Sequence, residues 1–276
     1  MRILVLITMT IRELIAKATM IVLAGISTLI IIGITLAFSS QQTADGIVLT
    51  IFGNPAGTPV STENLRDLVE KMQAALAGGL FSGVVLFGVF ATSGIIPETL
   101  EKGTVDLYLS KPIARWELLL GKYLGAVAVM FINIAYFIGV TWIVFGLKFG
   151  LWNVQFLLST LSLTFLFACL FSIVAFLGVL SRNMAITIIG AFLYLLVIGN
   201  ALQSREHGLF MLSTNTIYRG IVDALYYILP QLSAVQENAL KMISHQDADW
   251  KPFLQALLSS GLFFGGGAAL LQRKDF

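Results

Sequence analysis

Charge is what this sequence has least of. Aspartate, glutamate, lysine and arginine make up 12% of its 276 residues, about half the share of an ordinary soluble domain. So few charges cannot keep an apolar chain of this length in water, which argues against a soluble domain. Cysteine occurs once, at Cys169 inside an apolar run. No intrachain disulfide can form, and the thiol reads as a small packing group. The two histidines, His207 and His245, lack metal-ligand spacing, and the His245, Asp247, Asp249 run reads as a solvated loop. No G-x-x-x-x-G-K-[ST] stretch is present, so a nucleotide-binding loop of that kind is missing. The serines, threonines and acids form no triad-like pattern. These absences point to a chain with no catalytic, metal or cofactor site of its own.

Apolar residues are abundant instead, at 57%, with a mean hydropathy of +0.89. The fold class that follows is an all-α integral membrane protein. Six runs have the length and composition of transmembrane helices, at about 18–38, 78–96, 121–146, 154–180, 184–202 and 252–272. Residues 2–17 read as an interfacial helix, retained rather than cleaved as a signal peptide. Leu4, Ile7, Ile11 and Leu14 lie on one side, with Arg2, Thr8, Arg12 and Glu13 largely on another.

Two longer polar segments separate the spans. In 39–77 the spacing predicts an amphipathic helix from Glu63 to Leu76, capped by Ser61 or Thr62. Arg66–Glu70 and Asp67–Lys71 stand i,i+4 on its wet side. In 203–251 two short helices are expected. One carries Ile217, Ile221, Leu225 and Ile228 and ends at Pro230; the other runs from about Ser233 to Ser244. Residues 1–276 read as a single transmembrane domain without a soluble domain or a 20–50-residue repeat.

Charge distribution sets the expected orientation. Residues 1–17, 97–122, 181–183 and 272–276 together hold ten bases and six acids, a net of +4; the remainder carries a net of −2. The positive-inside rule puts the first set, and both termini, in the cytoplasm and the two long loops outside. On this accounting every ionisable group sits in a loop or an end. That argues against an ion-coupled carrier, which usually needs buried charges.

The 98–117 island, Glu-Thr-Leu-Glu-Lys-Gly-Thr-Val-Asp-Leu-Tyr-Leu-Ser-Lys-Pro-Ile-Ala-Arg-Trp-Glu, is a charged interruption between spans two and three. Leu100 to Leu109 is readable as a short helix with acids and a lysine on its exposed side. Gly103 permits close backbone approach, and Glu101 suits a basic residue on a partner. Pro112 fits the first turn of the helix entering span three, and Trp116 suits an interfacial anchor. The plain alternative is an ordinary cytoplasmic loop without a partner.

The residues Ile96-Pro-Glu-Thr-Leu-Glu-Lys-Gly-Thr104, then Leu107-Tyr-Leu-Ser-Lys-Pro-Ile-Ala-Arg115, then Gly121-Lys122 resemble the cytoplasmic signature of type-2 ABC exporter permeases. The similarity is greatest to the branch that serves multicopper-enzyme and nitrous oxide reductase maturation, whose chains often end in a short basic, aromatic tail like Arg273-Lys-Asp-Phe276. The match departs at Thr99, where the family has glutamate, and at Ala114, where it has serine.

The resemblance implies a permease subunit of an exporter in a bacterial or archaeal cytoplasmic membrane. It works as a homodimer embedded in lipid, with separate ABC ATPase subunits on the cytoplasmic face. ATP and magnesium are expected on those partner chains and no cofactor on this one. A periplasmic partner at the outer loops is a further expectation; a nucleic acid is not. The ATPase-coupling residues it implies are Glu98, Glu101, Lys102, Gly103, Thr104, Asp106, Pro112 and Arg115 in a coupling segment at 97–120. Two other readings stay open: an ion- or proton-coupled secondary carrier, and a non-transporting, ATPase-driven membrane scaffold.

Overall fold

A computed structural model describes residues 2–43, 46–55, 61–101, 103–104, 113–206, 208–213 and 215–274. Helix α1 (Arg2–Ala16) and helix α2 (Thr19–Ala37) meet at 66°. The break is at Ala18, whose φ of 57° is left-handed, a backbone that ends a helix. The chain then leaves the expected all-helical pattern. Strands β1 (Phe38–Thr43), β2 (Gly46–Ile51) and β3 (Asn54–Pro55) form an antiparallel meander in which Phe38 pairs with Ile51 and Thr50 with Pro55. The β-branched run Ile47-Val-Leu-Thr-Ile51 favours this, and Phe52-Gly53 turns the chain with positive φ at both residues.

Helix α3 (Thr62–Thr92) is 31 residues long. The amphipathic helix and the second apolar run, expected as separate elements, are one continuous helix. Ser61 caps it, its Oγ accepting from the Asn64 backbone at 3.4 Å, and Arg66 reaches Glu70 at 3.0 Å. The helix stops at Ser93-Gly94, ahead of Pro97, and a short helix α4 (Ile95–Thr99) follows with Ile95, Ile96, Pro97 and Thr99 buried.

Helices α5 (Arg115–Phe149), α6 (Val154–Ser181) and α12 (Lys251–Arg273) are apolar enough and long enough to cross a bilayer. So is the run Met184–Gln203, made of α7 (Met184–Leu193), a π-helical segment at Tyr194–Ile198 and α8 (Gly199–Gln203). Joining α1 and α2 as one bent span gives a fifth candidate. Helix α6 is the most apolar, with a mean hydropathy of 2.6. It is buried on most sides, as a helix without a polar face must be: Phe156, Leu166, Phe167, Leu170 and Phe171 lie in the core. Cys169 is buried there as a packing residue.

Between α8 and α12 lie α9 (Leu209–Leu212), α10 (Thr216–Ile228) and α11 (Leu232–Ile243). Asn215 caps α10, and α11 opens two residues after Pro230. The apolar residues Ile217, Ile221, Leu225 and Ile228 stand exposed on α10, while Val222 is buried.

Candidate coupling site

At the end of the molecule where α1, α4, the start of α5 and the close of α12 meet, two ion pairs join residues far apart in the sequence. Helix α1 lies along the first turns of α5 because two glycines make room. A Cβ at Gly121 would stand 2.4 Å from Leu6 Cβ, and one at Gly125 2.5 Å from Thr10 Cβ. The approach brings Glu13 to Lys122, whose ammonium donates to the carboxylate at 2.5 Å from a side chain only 3% exposed. Glu13 also pairs with Lys17 at 3.4 Å, one turn on. Lys17 in turn bonds Glu98 on α4. The run Lys122, Glu13, Lys17, Glu98 thus joins three helices. Burial works against the Lys17 charge, but Glu98 and Glu13 outweigh it and hold its pKa above the ordinary lysine value.

The accounting by sequence counted Lys122 with the loops and ends; the structure places it within the first turns of α5. Lys122 is inside the fold, and it is paired. The signal was present as a lysine between Gly121 and Gly125 at the head of an otherwise apolar run, but its partner lies 109 residues away.

Helix α4 is held firmly. Pro97 and Ile96 rest on Gly178 of α6, where a Cβ would come within 3.2 Å of Pro97 Cδ. A Cβ at Gly94 would stand 2.5 Å from Glu98 Oε1, a contact that the mobile carboxylate end would have to relieve by shifting. Thr99, at the family's glutamate position, is buried, and its hydroxyl donates to the Ile95 carbonyl at 2.5 Å.

Of the expected coupling residues, Glu98 is half-buried and bonded to Lys17. Glu101 is exposed and forms no ion pair with any described residue. Gly103 is exposed with φ of +88° and open space about it. Within this chain its demand for glycine is conformational. Thr104 is half-buried and helical. Lys102, Asp106 and Pro112 lie outside the described residues. Arg115 faces inward, donating to the carbonyls of Leu271 and Gln272 at 3.3 Å and to that of Lys274. Lys274 closes the same end of the bundle by donating to Val179 at 2.6 Å and Leu180 at 3.0 Å. These cations satisfy the carbonyls that end α12 and α6.

The opposite end holds a mostly apolar cavity of about 220 Å³ between the π-helical segment and the turn from α10 to α11. Tyr194 fixes that turn by donating to the Pro230 carbonyl. Among the described residues no three His, Cys, Asp or Glu side chains are grouped to hold a metal.

Long apolar helices joined by short connections define a multi-pass membrane protein. The family model of the ABC-2 family transporter protein matches residues 58–276, and the chain belongs to that family. No curated protein sequence matches it. It is accordingly a type-2 permease, the membrane subunit of an ABC transporter, whose family works with an ABC ATPase.

Proposed function

We propose that this chain is the membrane half of an ATP-driven exporter. Two copies face each other, and two separate ATPase chains dock on the 97–120 segment. The six spans are α2, the second half of α3, α5, α6, α7 with α8, and α12, while α1 lies in the headgroup region. Both termini face the cytoplasm of a bacterial or archaeal cell. The sheet, α10 and α11 lie outside, where they gate the exit or meet a periplasmic partner. ATP and magnesium belong to the partner chains.

The observation that carries this reading is that the exposed residues Glu101 and Gly103 follow directly on a short helix that is fixed to the rest. Helix α4 is bonded through Glu98 to α1 and packed through Pro97 on α6. A push on these residues reaches three helices without a slack linker, which is what a two-state switch driven by a partner needs. The Lys122–Glu13 pair stands within the first three turns of α5, at the rim and not at mid-span, so it supports a fixed strut better than the ion pathway of a carrier.

The test is co-purification with the partner ATPase, followed by ATPase and transport assays of Glu101→Arg and Gly103→Trp. Gly103→Asn, which tolerates a left-handed backbone, separates strain from docking. Loss of ATPase coupling in Glu101→Arg and Gly103→Trp is expected, with Gly103→Asn close to the parent. Normal association and transport in both disruptive variants overturns the assignment.

A further inference from the structure

A second cavity, of about 200 Å³, opens beside the first half of α3 and is lined by Arg66, Glu70, Gln73, Trp152 and Asn153 among others. Hydrogen bonds fix the direction of its amides. Asn153 caps α6, its Oδ1 accepting from the backbone of Gln155 at 3.0 Å and Phe156 at 3.4 Å. With the oxygen so committed, its Nδ2 is the donor, to Gln73 Oε1 at 2.9 Å and the Ile243 carbonyl at 3.2 Å. Gln73 must then turn its own NH2 another way. That residue is fully buried, and its Nε2 has no hydrogen-bond partner among the described residues. A buried donor left unpaired costs about 1–3 kcal/mol, a cost removed when a small shift of the Gln73 side chain brings its NH2 to an acceptor oxygen in the cavity.

The remaining polar groups say what carries that oxygen. Arg66 is 61% exposed and donates to Glu70 at 3.0 Å; His245 stands 3.7 Å from the same carboxylate. The lining therefore offers a guanidinium and an amide NH2 to an anion, and a carboxylate to a cation. Trp152 forms a rigid wall, seated on Gly146, where a Cβ would be 2.6 Å from the indole. Helix α5 has 35 residues, about 52 Å at 1.5 Å per residue, well beyond the roughly 30 Å hydrocarbon core. The helix is therefore long enough to carry the Gly150–Asn153 connection out of the hydrocarbon core, to the lipid headgroups or just past them.

We infer that this cavity binds a zwitterionic phosphate–ammonium group of the phosphoethanolamine type. The phosphate accepts from Gln73 Nε2 and the Arg66 guanidinium, and the ammonium pairs with Glu70. A headgroup carrying only negative charge would set its phosphate against Glu70, and a purely apolar molecule would leave Gln73 unpaired.

The experiment is thermal unfolding of the purified full chain in detergent, read by tryptophan fluorescence. Phosphatidylethanolamine, phosphatidylglycerol and free phosphoethanolamine are added in separate arms. Phosphatidylethanolamine is expected to raise the midpoint by about 3 °C or more, phosphatidylglycerol by clearly less. The response is expected to vanish in both Gln73→Met and Arg66→Gln; the second position is exposed and keeps the fold if the first does not. An equal shift from free phosphoethanolamine upholds the site and makes a soluble molecule its occupant. No shift, equal shifts from the two lipids, or a parental response in either variant overturns the proposal.

Discussion

Lys122 on α5 and Glu13 on α1 form an ion pair whose lysine side chain is 3% exposed. Removing one partner of such a pair strands the other charge and typically costs about 3–5 kcal/mol, whereas replacing both with apolar groups often restores much of it. Glu13→Leu, which takes this carboxylate from the buried Lys122 ammonium, is expected to be the more destabilising single change, since Lys122→Met leaves Glu13 part-exposed and still bonded to Lys17. The double variant with both changes is expected to recover part of the Glu13→Leu loss, although Lys17 then keeps only Glu98. A double-mutant cycle of thermal unfolding measures the coupling; additive losses would mean the pair is not coupled.

Lys17 links this pair to Glu98 on α4, and its charge is sensitive to alkali. Its pKa is raised in the folded chain, so folding favours the protonated form. The contribution is full below the unfolded lysine value of about 10.4 and is lost as pH rises through the higher folded value. With side chains 39% and 40% exposed, the Lys17–Glu98 link is worth only about 0–1 kcal/mol. Lys17→Gln is expected to flatten the alkaline limb of the stability profile and leave neutral stability nearly unchanged. Melting curves collected from pH 8 upward check both points.

The apolar helices were readable from the sequence because a bilayer demands long uncharged runs, and such runs need no knowledge of partners. The Arg66–Glu70 pair and the Ser61 cap were equally readable, being local. Other features were not. The meander at 38–55 is short, and its polar first strand looked like loop. The continuity of α3 was hidden because its polar and apolar halves suggest two environments and because Gly78-Gly79, poor helix formers, stand at their junction. Within the site, the exposure of Glu101 and Gly103 was readable. The inward commitment of Arg115 to the end of α12 depends on residues more than 150 positions away, which no local pattern encodes.

The contact of α1 with α5 depends on two glycines, which makes it testable by volume. Gly121→Ala puts a methyl group 2.4 Å from Leu6 Cβ, a distance that side-chain rotation cannot relieve. Overpacking of this kind costs about 1–3 kcal/mol. Helix α1 is expected to lift, weakening the Lys122–Glu13 bond with it. Faster proteolysis within residues 2–18 and a lower melting temperature are the readouts, and Gly139→Ala, where a Cβ meets nothing within 4 Å, is the neutral control.

Ala114 stands where the sequence resemblance led to the expectation of a serine, and the structure gives the position a definite geometry. It is the N-cap of α5, with φ of −71° and ψ of 145° and no side-chain cap. Half of a capping box is already in place, since Glu117 Oε2 accepts from the Ala114 backbone at 2.9 Å. A serine hydroxyl at this position would accept from the Glu117 backbone amide and complete the box. Ala114 is exposed, so the added oxygen carries no burial penalty. Ala114→Ser is therefore expected to stabilise the chain by about 1 kcal/mol. Glu117→Ala should remove the existing half of the box, and Ala114→Ser added to it should recover only part of the gain. Unfolding midpoints of the three variants test the assignment; no change on Ala114→Ser would show that the start of α5 is held by Arg115 and the α12 carbonyls alone.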